Sequence, residues 1–115
     1  MTEVDVRNET RDRRLGGRVG LADGFWTRLR GLLGRPPLEA GSGLLITPSR
    51  GVHTWGMRYP LDVLLLDGAR RVVAAYRGLG PWRSTSLHRE ARHALELPAG
   101  TIDRTGTLEG DVVTW

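Results

Sequence analysis

The run Leu61-Asp62-Val63-Leu64-Leu65-Leu66 constrains the fold of this chain more than any other stretch. Five of its six side chains are large and aliphatic, and Asp67-Gly68 follows directly. A short apolar run closed by a turn pair reads as a β-strand, because a buried helix needs a periodic pattern over about ten residues or more. Arg71–Tyr76 supplies the return strand of a hairpin, with Val72, Ala74 and Tyr76 on one face.

The remaining apolar runs are equally short. Val19-Gly20-Leu21 opens a first strand. Gly43–Thr47, Val52–Trp55, Ala94–Leu97 and Val112–Trp115 are further strand candidates, most of them bounded by Gly or Pro. Residues 82–93 are polar and read as irregular, and residues 101–106 hold a helical turn. One segment has a helical period. Phe25, Trp26, Leu29, Leu32 and Leu33 form a stripe, Asp23 is a suitable N-cap, and Gly34 with Pro36-Pro37 ends the segment. This pattern predicts a mainly β fold, with α+β as the alternative. The expected architecture is a small β-barrel or sandwich-like domain with one N-terminal helix at about residues 24–33. Residues 1–17 mix Arg with Glu and Asp, are poor in bulky apolar side chains and end in Gly16-Gly17. They are expected to be a flexible arm before a single domain at 18–115.

There is no cysteine among the 115 residues, which rules out a disulfide framework and a thiolate metal site. All 17 basic residues are arginine, against 13 acidic ones, for a formal charge of +4. Arginine suits carboxylate and phosphate partners, although replacement of Lys by Arg throughout a GC-rich coding sequence accounts for the same count. The N-terminal residues do not read as a signal peptide, and no apolar run is long enough to span a membrane. The expectation is a soluble, cytoplasmic protein, monomeric or a small oligomer.

Several ordered motifs resemble the DUF192 family. Arg28-Leu29-Arg30-Gly31-Leu32-Leu33 and Gly43-Leu44-Leu45-Ile46 are similar to two of its segments. The stretch from Val52 to Asp67, VHTWGMRYPLDVLLLD, closely resembles the family signature IHTFGMRFPIDVVFLD. Pro81-Trp82-Arg83, Leu95-Glu96-Leu97-Pro98-Ala99-Gly100 and Gly110-Asp111 follow in the family's order. The resemblance covers about residues 21–115 and implies a compact β-rich fold. It implies no activity, because the family's own label denotes unknown function. A common variant of the family carries a cysteine shortly before the His-Thr pair. Here Pro48-Ser49-Arg50-Gly51 stands there, so no thiol role carries over.

Chemistry-bearing residues crowd into positions 53–62. If residues 52–57 are extended, His53, Trp55 and Met57 share one face. Arg58 would contact an anion and Asp62 would orient Arg58 or His53. With Glu96 of the LELPAG strand, these are the ligand-binding candidates. A structural alternative makes Trp55 and Met57 core and pairs Arg58 with Asp62 to fix the Tyr59-Pro60 bend. Glu96 stands between two leucines and points either to solvent or inward to an arginine. His88 and His93 lie in the polar segment and read as surface. No metal-binding spacing and no nucleophile elbow are present, so neither a metal site nor a cofactor is expected. Three function classes stay open: a binding module for an unknown small molecule or protein, with a pocket near residues 52–62; an enzyme using His53 and Asp62; and a nucleic-acid binder. For the last, six Arg against one acidic residue lie between Arg70 and His93, with Tyr76 and Trp82 among them.

Overall fold

Short apolar runs separated by turns resolve, in a computed structural model that describes residues 2–23, 38–55 and 57–115, into seven strands and one short helix. In chain order these are β1 (Glu3–Asn8), β2 (Arg13–Ala22), β3 (Ser42–Ile46), β4 (Leu61–Leu66), β5 (Val72–Leu79), β6 (His93–Pro98), α1 (Thr101–Thr105) and β7 (Val113–Thr114). The strands form one sheet in the order β5-β4-β6-β3-β2-β1-β7. Only β2 and β3 pair in parallel; the other neighbours are antiparallel.

The sheet curls until its two edges approach. β7 pairs with β1, while an isolated bridge joins Arg71 to Val112 beside β5. Val72 N donates to Asp111 O at 2.8 Å, and Val113 N donates to Arg70 O at 2.9 Å. A single curled sheet excludes the sandwich alternative. Its concave side holds Val6, Leu15, Val19, Leu45, Leu64, Leu66, Val72, Leu95, Leu97, Ile102 and Val113. The side chains that alternate with these on β3, β4 and β6, namely Leu44, Ile46, Val63, Leu65 and Ala94, form a second cluster with Leu61, Met57, Ala74 and Ala91. All six residues of β4 are buried, because the strand lies between these two layers.

The expected hairpin forms, but a register shift between Leu65 and Leu66 sends Val72 to the concave core and Ala74 and Tyr76 to the second cluster rather than to one face, and the turn is made by Asp67 more than by Gly68. Asp67 Oδ1 accepts from Ala69 N and Arg71 N, each at 2.9 Å, and Arg70 takes the left-handed conformation at φ 64°. At the closure, Asp111 Oδ2 accepts from Arg11 Nε at 2.9 Å, Asn8 Nδ2 at 3.0 Å and Leu108 N at 3.0 Å. Burial pushes the Asp111 carboxyl up, but the Arg11, Asn8 and Leu108 hydrogen bonds and the Arg11 charge outweigh it and hold the group below the usual carboxylate range.

Three sequence expectations change. The segment read as a flexible arm is β1 and the start of β2. Its few apolar residues suffice because they alternate: Val6 and Leu15 are fully buried while their charged neighbours face water as Arg14–Asp5 and Arg7–Asp12 pairs. Gly16-Gly17 lies inside β2 and is no linker; a Cβ on Gly16 would stand 2.8 Å from Val19 Cγ2 and 3.2 Å from Gly41 O. Val52–Trp55 is not a sheet strand, and its only bridge among the described residues is His53–Ser84. The helix expected at 24–33 lies outside the described residues.

The contact between β3 and β6 tests this arrangement. A Cβ on Gly43 would stand 2.7 Å from Glu96 O and 3.0 Å from Leu97 Cδ2. Gly43→Ala should destabilise the protein by about 1–3 kcal/mol in urea unfolding, since the obstacle is backbone that cannot swing away.

Candidate functional site

The six candidates divide between surface and interior. His53, Trp55 and Arg58 are exposed, whereas Met57, Asp62 and Glu96 are buried. His53, Trp55 and Met57 do not share one face, because Met57 N turns back to donate to Thr54 O at 3.1 Å and carries the thioether into the second apolar layer. The His53 and Trp55 rings remain together, with centroids 5.1 Å apart and planes tilted by 40°.

Asp62 alternates with the aliphatic residues of β4 and faces the end of the concave core. Its Oδ1 accepts from Gly78 N at 2.8 Å, and its Oδ2 accepts from Gly100 N at 3.1 Å and Ile102 N at 2.8 Å. Both glycines have positive φ, 58° and 96°, so two turns converge on one carboxylate. Asp62 therefore pins the end of β5 to the start of α1, and it pairs with neither Arg58 nor His53. Arg58 makes no ion pair among the described residues.

Glu96 points inward and not to water. It sits on central β6 between Leu44 of β3 and Val63 of β4, and it is 4% exposed. Among the described residues no arginine pairs with it, and its Oε2 has no hydrogen-bond partner. Burial alone pushes its carboxyl up to about 7.

Two threonines that the sequence reading did not single out assemble the exposed part. Thr54 is fully buried. Its N donates to Arg83 O at 2.8 Å, its Oγ1 donates to Gly80 O at 2.6 Å and accepts from Arg83 N at 2.9 Å, and its carbonyl O accepts from Trp82 N at 3.1 Å. Thr85 exchanges backbone and side-chain bonds with Val52, its N donating to Val52 O at 2.9 Å and its Oγ1 accepting from Val52 N at 3.0 Å. Further along, His88 N donates to Arg50 O and Ser49 N to Arg92 O. Residues 49–54 and 82–92 are thus laced antiparallel by an irregular ladder. A small hydroxyl residue between bulky neighbours, as in His53-Thr54-Trp55, was the available signal.

This ladder presents Trp55, Trp82 and Leu87, which are 59%, 69% and 82% exposed. Trp82 holds φ 60°, a conformation unusual for a bulky residue. His88 and His93 are half-buried rather than free surface groups. His88 Nε2 bonds Tyr76 Oη at 2.8 Å, and His93 Nδ1 bonds Thr47 Oγ1 at 2.7 Å. Burial, then the Arg70 and Arg92 charges, lowers the His93 pKa from its ordinary value. Among the described residues no three His, Cys, Asp or Glu side chains converge as a metal site would need, and no helix is long and apolar enough to cross a membrane.

Comparison with known proteins agrees with this architecture. The profile of the DUF192 family, described as "Uncharacterized ACR", matches residues 6–115. A UPF0127 protein of Thermococcus sibiricus is 34% identical over 113 residues, covering 94% of this chain and 72% of its own. The corresponding protein of Pyrococcus horikoshii is 32% identical, covering 96% of this chain and 97% of its own. A crystal structure of a protein of unknown function from Novosphingobium aromaticivorans superposes with a TM-score of 0.81 at 25% identity, over 99% of this chain and 84% of that one.

Two substitutions test the buried carboxylates. Asp62→Ala strands three amide donors and should cost about 3 kcal/mol or more in denaturant unfolding. For Glu96 the folded pKa lies above the unfolded one, so its contribution to stability is complete below about 4.5 and is lost as pH rises to about 7. That difference amounts to about 3 kcal/mol. Glu96→Gln should remove this decline, leaving the variant more stable than wild type at pH above 7 in a pH series of melting curves.

Proposed function

The chain belongs to the DUF192 family, which is defined by sequence and not by an activity, and from that premise we propose that this protein is a non-catalytic binding module whose contact surface is the exposed face of residues 49–55, 57–58 and 82–92. The observation that carries this reading is Trp82. A large indole stands 69% exposed on a left-handed backbone, held there by bonds from its own N and from Arg83 N to Thr54. Strained backbone kept in place by a buried anchor is found preferentially at ligand-contacting sites. Exposed Trp and Arg are also the residues most enriched among binding hot spots.

The arrangement of acids and bases favours binding over catalysis. Asp62 is occupied by three amides, Glu96 is buried beneath the surface, and neither is hydrogen-bonded to His53, so His53 lacks the oriented partner of a general base.

Trp55→Ala and Trp82→Asn separate binding from folding. Asn tolerates the left-handed conformation, and both sites are exposed, so each variant should unfold within about 0.5 kcal/mol of wild type. In a thermal-shift panel of nucleotides, sugars, metals, small anions and polyanions, a stabilising ligand should lose its effect on both variants. A ligand that shifts wild type and variants equally would place the functional site elsewhere.

A further inference from the structure

We infer that the face built from residues 49–55, 57–58 and 82–92 binds single-stranded nucleic acid, with phosphates on its arginines and bases stacked on Trp55 and Trp82; this rests on the binding-module reading above and names its partner. Charge is the first argument. Ion pairing is uneven over the described surface. Arg7, Arg11, Arg14, Arg18 and Arg77 are matched to Asp12, Asp111, Asp5, Glu3 and Asp103. Arg50, Arg58, Arg83, Arg89 and Arg92 are exposed and make no ion pair among the described residues. All five lie on the two laced segments, where Glu90 is the one acidic residue within 47–60 and 80–92. Arg13, Arg71 and Arg104 are exposed and unmatched elsewhere, so five of the eight such arginines among the described residues lie on the two segments that carry Trp55 and Trp82.

Flat aromatic surface is the second argument. Arginines alone would suit any polyanion, but a carboxylate-rich peptide offers no π-face to an indole. Bases do, and stacking on Trp is indifferent to sequence. The His53 ring, tilted against Trp55, extends the same surface. Strandedness follows from the shape. In a duplex the base faces are already stacked, and groove readout needs a helix or a two-stranded ribbon. This face is an irregular ladder of loops, and α1 has only five residues. Unpaired bases are what such a surface can reach.

The experiment is fluorescence anisotropy of a labelled oligo(dT) strand of roughly a dozen nucleotides, titrated with the full chain at low salt. Binding is expected, with affinity falling several-fold on doubling the salt, since each released phosphate counterion contributes a slope of about 0.7. Trp55→Ala and Trp82→Asn should each weaken binding by roughly ten-fold. Arg58→Ala and Arg83→Ala should each make the salt dependence shallower by about 0.7. The same sequence annealed into duplex should compete poorly. Melting curves of every variant verify folding. No binding at low salt, or binding that ignores both tryptophans, overturns the inference. Poly-glutamate as a second probe separates the two claims. If it binds through the same tryptophans while oligo(dT) does not, the nucleic-acid assignment fails and the contact face stands. Silence with both probes takes down the face as well.

Discussion

Burial of β4 on both sides is the constraint from which the rest of the structure follows. A strand with aliphatic residues at five of six positions has no face to give to water, so the protein must build a layer on each side of it. The curl of the sheet supplies one layer, the concave core of Val6, Leu15, Leu45, Leu95 and Ile102. The loops that cross the convex side contribute Met57 and Ala91 to the other. The one polar residue of the strand, Asp62, is tolerated because three backbone donors meet it. Those donors come from the turns that end β5 and begin α1, so the carboxylate organises the end of the barrel.

The curl needs its own fastening, because β7 is only two residues long and gives few ladder bonds. Side chains make up the difference. Asp111, Asn8, Thr107 and Arg11 form a network that joins the last turn to β1, with Asn8 Nδ2 donating to Thr107 Oγ1 at 3.0 Å. Asn8 and Thr107 are fully buried, and polar groups so placed are stable only when their hydrogen bonds are made. Glu96 is the contrast. It is buried like these residues, yet its Oε2 has no hydrogen-bond partner among the described residues, and desolvation moves its proton affinity toward neutrality.

The exposed face is a consequence of the same layering. Residues 49–55, 57–58 and 82–92 must stay on the convex side to cover the sheet, yet they contribute no regular strand. Thr54 and Thr85 tie them together, turning Met57 inward and leaving Trp55 and Trp82 outward. Core construction and surface display are thus two sides of one short motif, which is why a stretch so rich in distinctive residues contains both interior and exterior ones.

Period, turn residues and charge were legible in the sequence. Leu61–Leu66 with its return strand, β3, β6, the helical turn at 101–105 and the terminal strand all follow from local patterns, because strands buried on both faces read as short apolar runs bounded by turn residues. The β1–β2 pair carried the same signal, but sparsely, and the abundance of charge in residues 1–17 masked it. What the tertiary structure alone decided is where equal-looking residues end up. Asp62 and Glu96 are both carboxylates flanked by aliphatic residues, and the approach of Gly78, Gly100 and Ile102 satisfies the first, while Oε2 of the second meets no hydrogen-bond partner among the described residues. Trp55 and Met57 stand two residues apart, and a reversal closed by Thr54 sends one to the surface and the other to the core. Partners distant in sequence set hydrogen bonding, solvation and proton affinity, and no local pattern encodes their arrival.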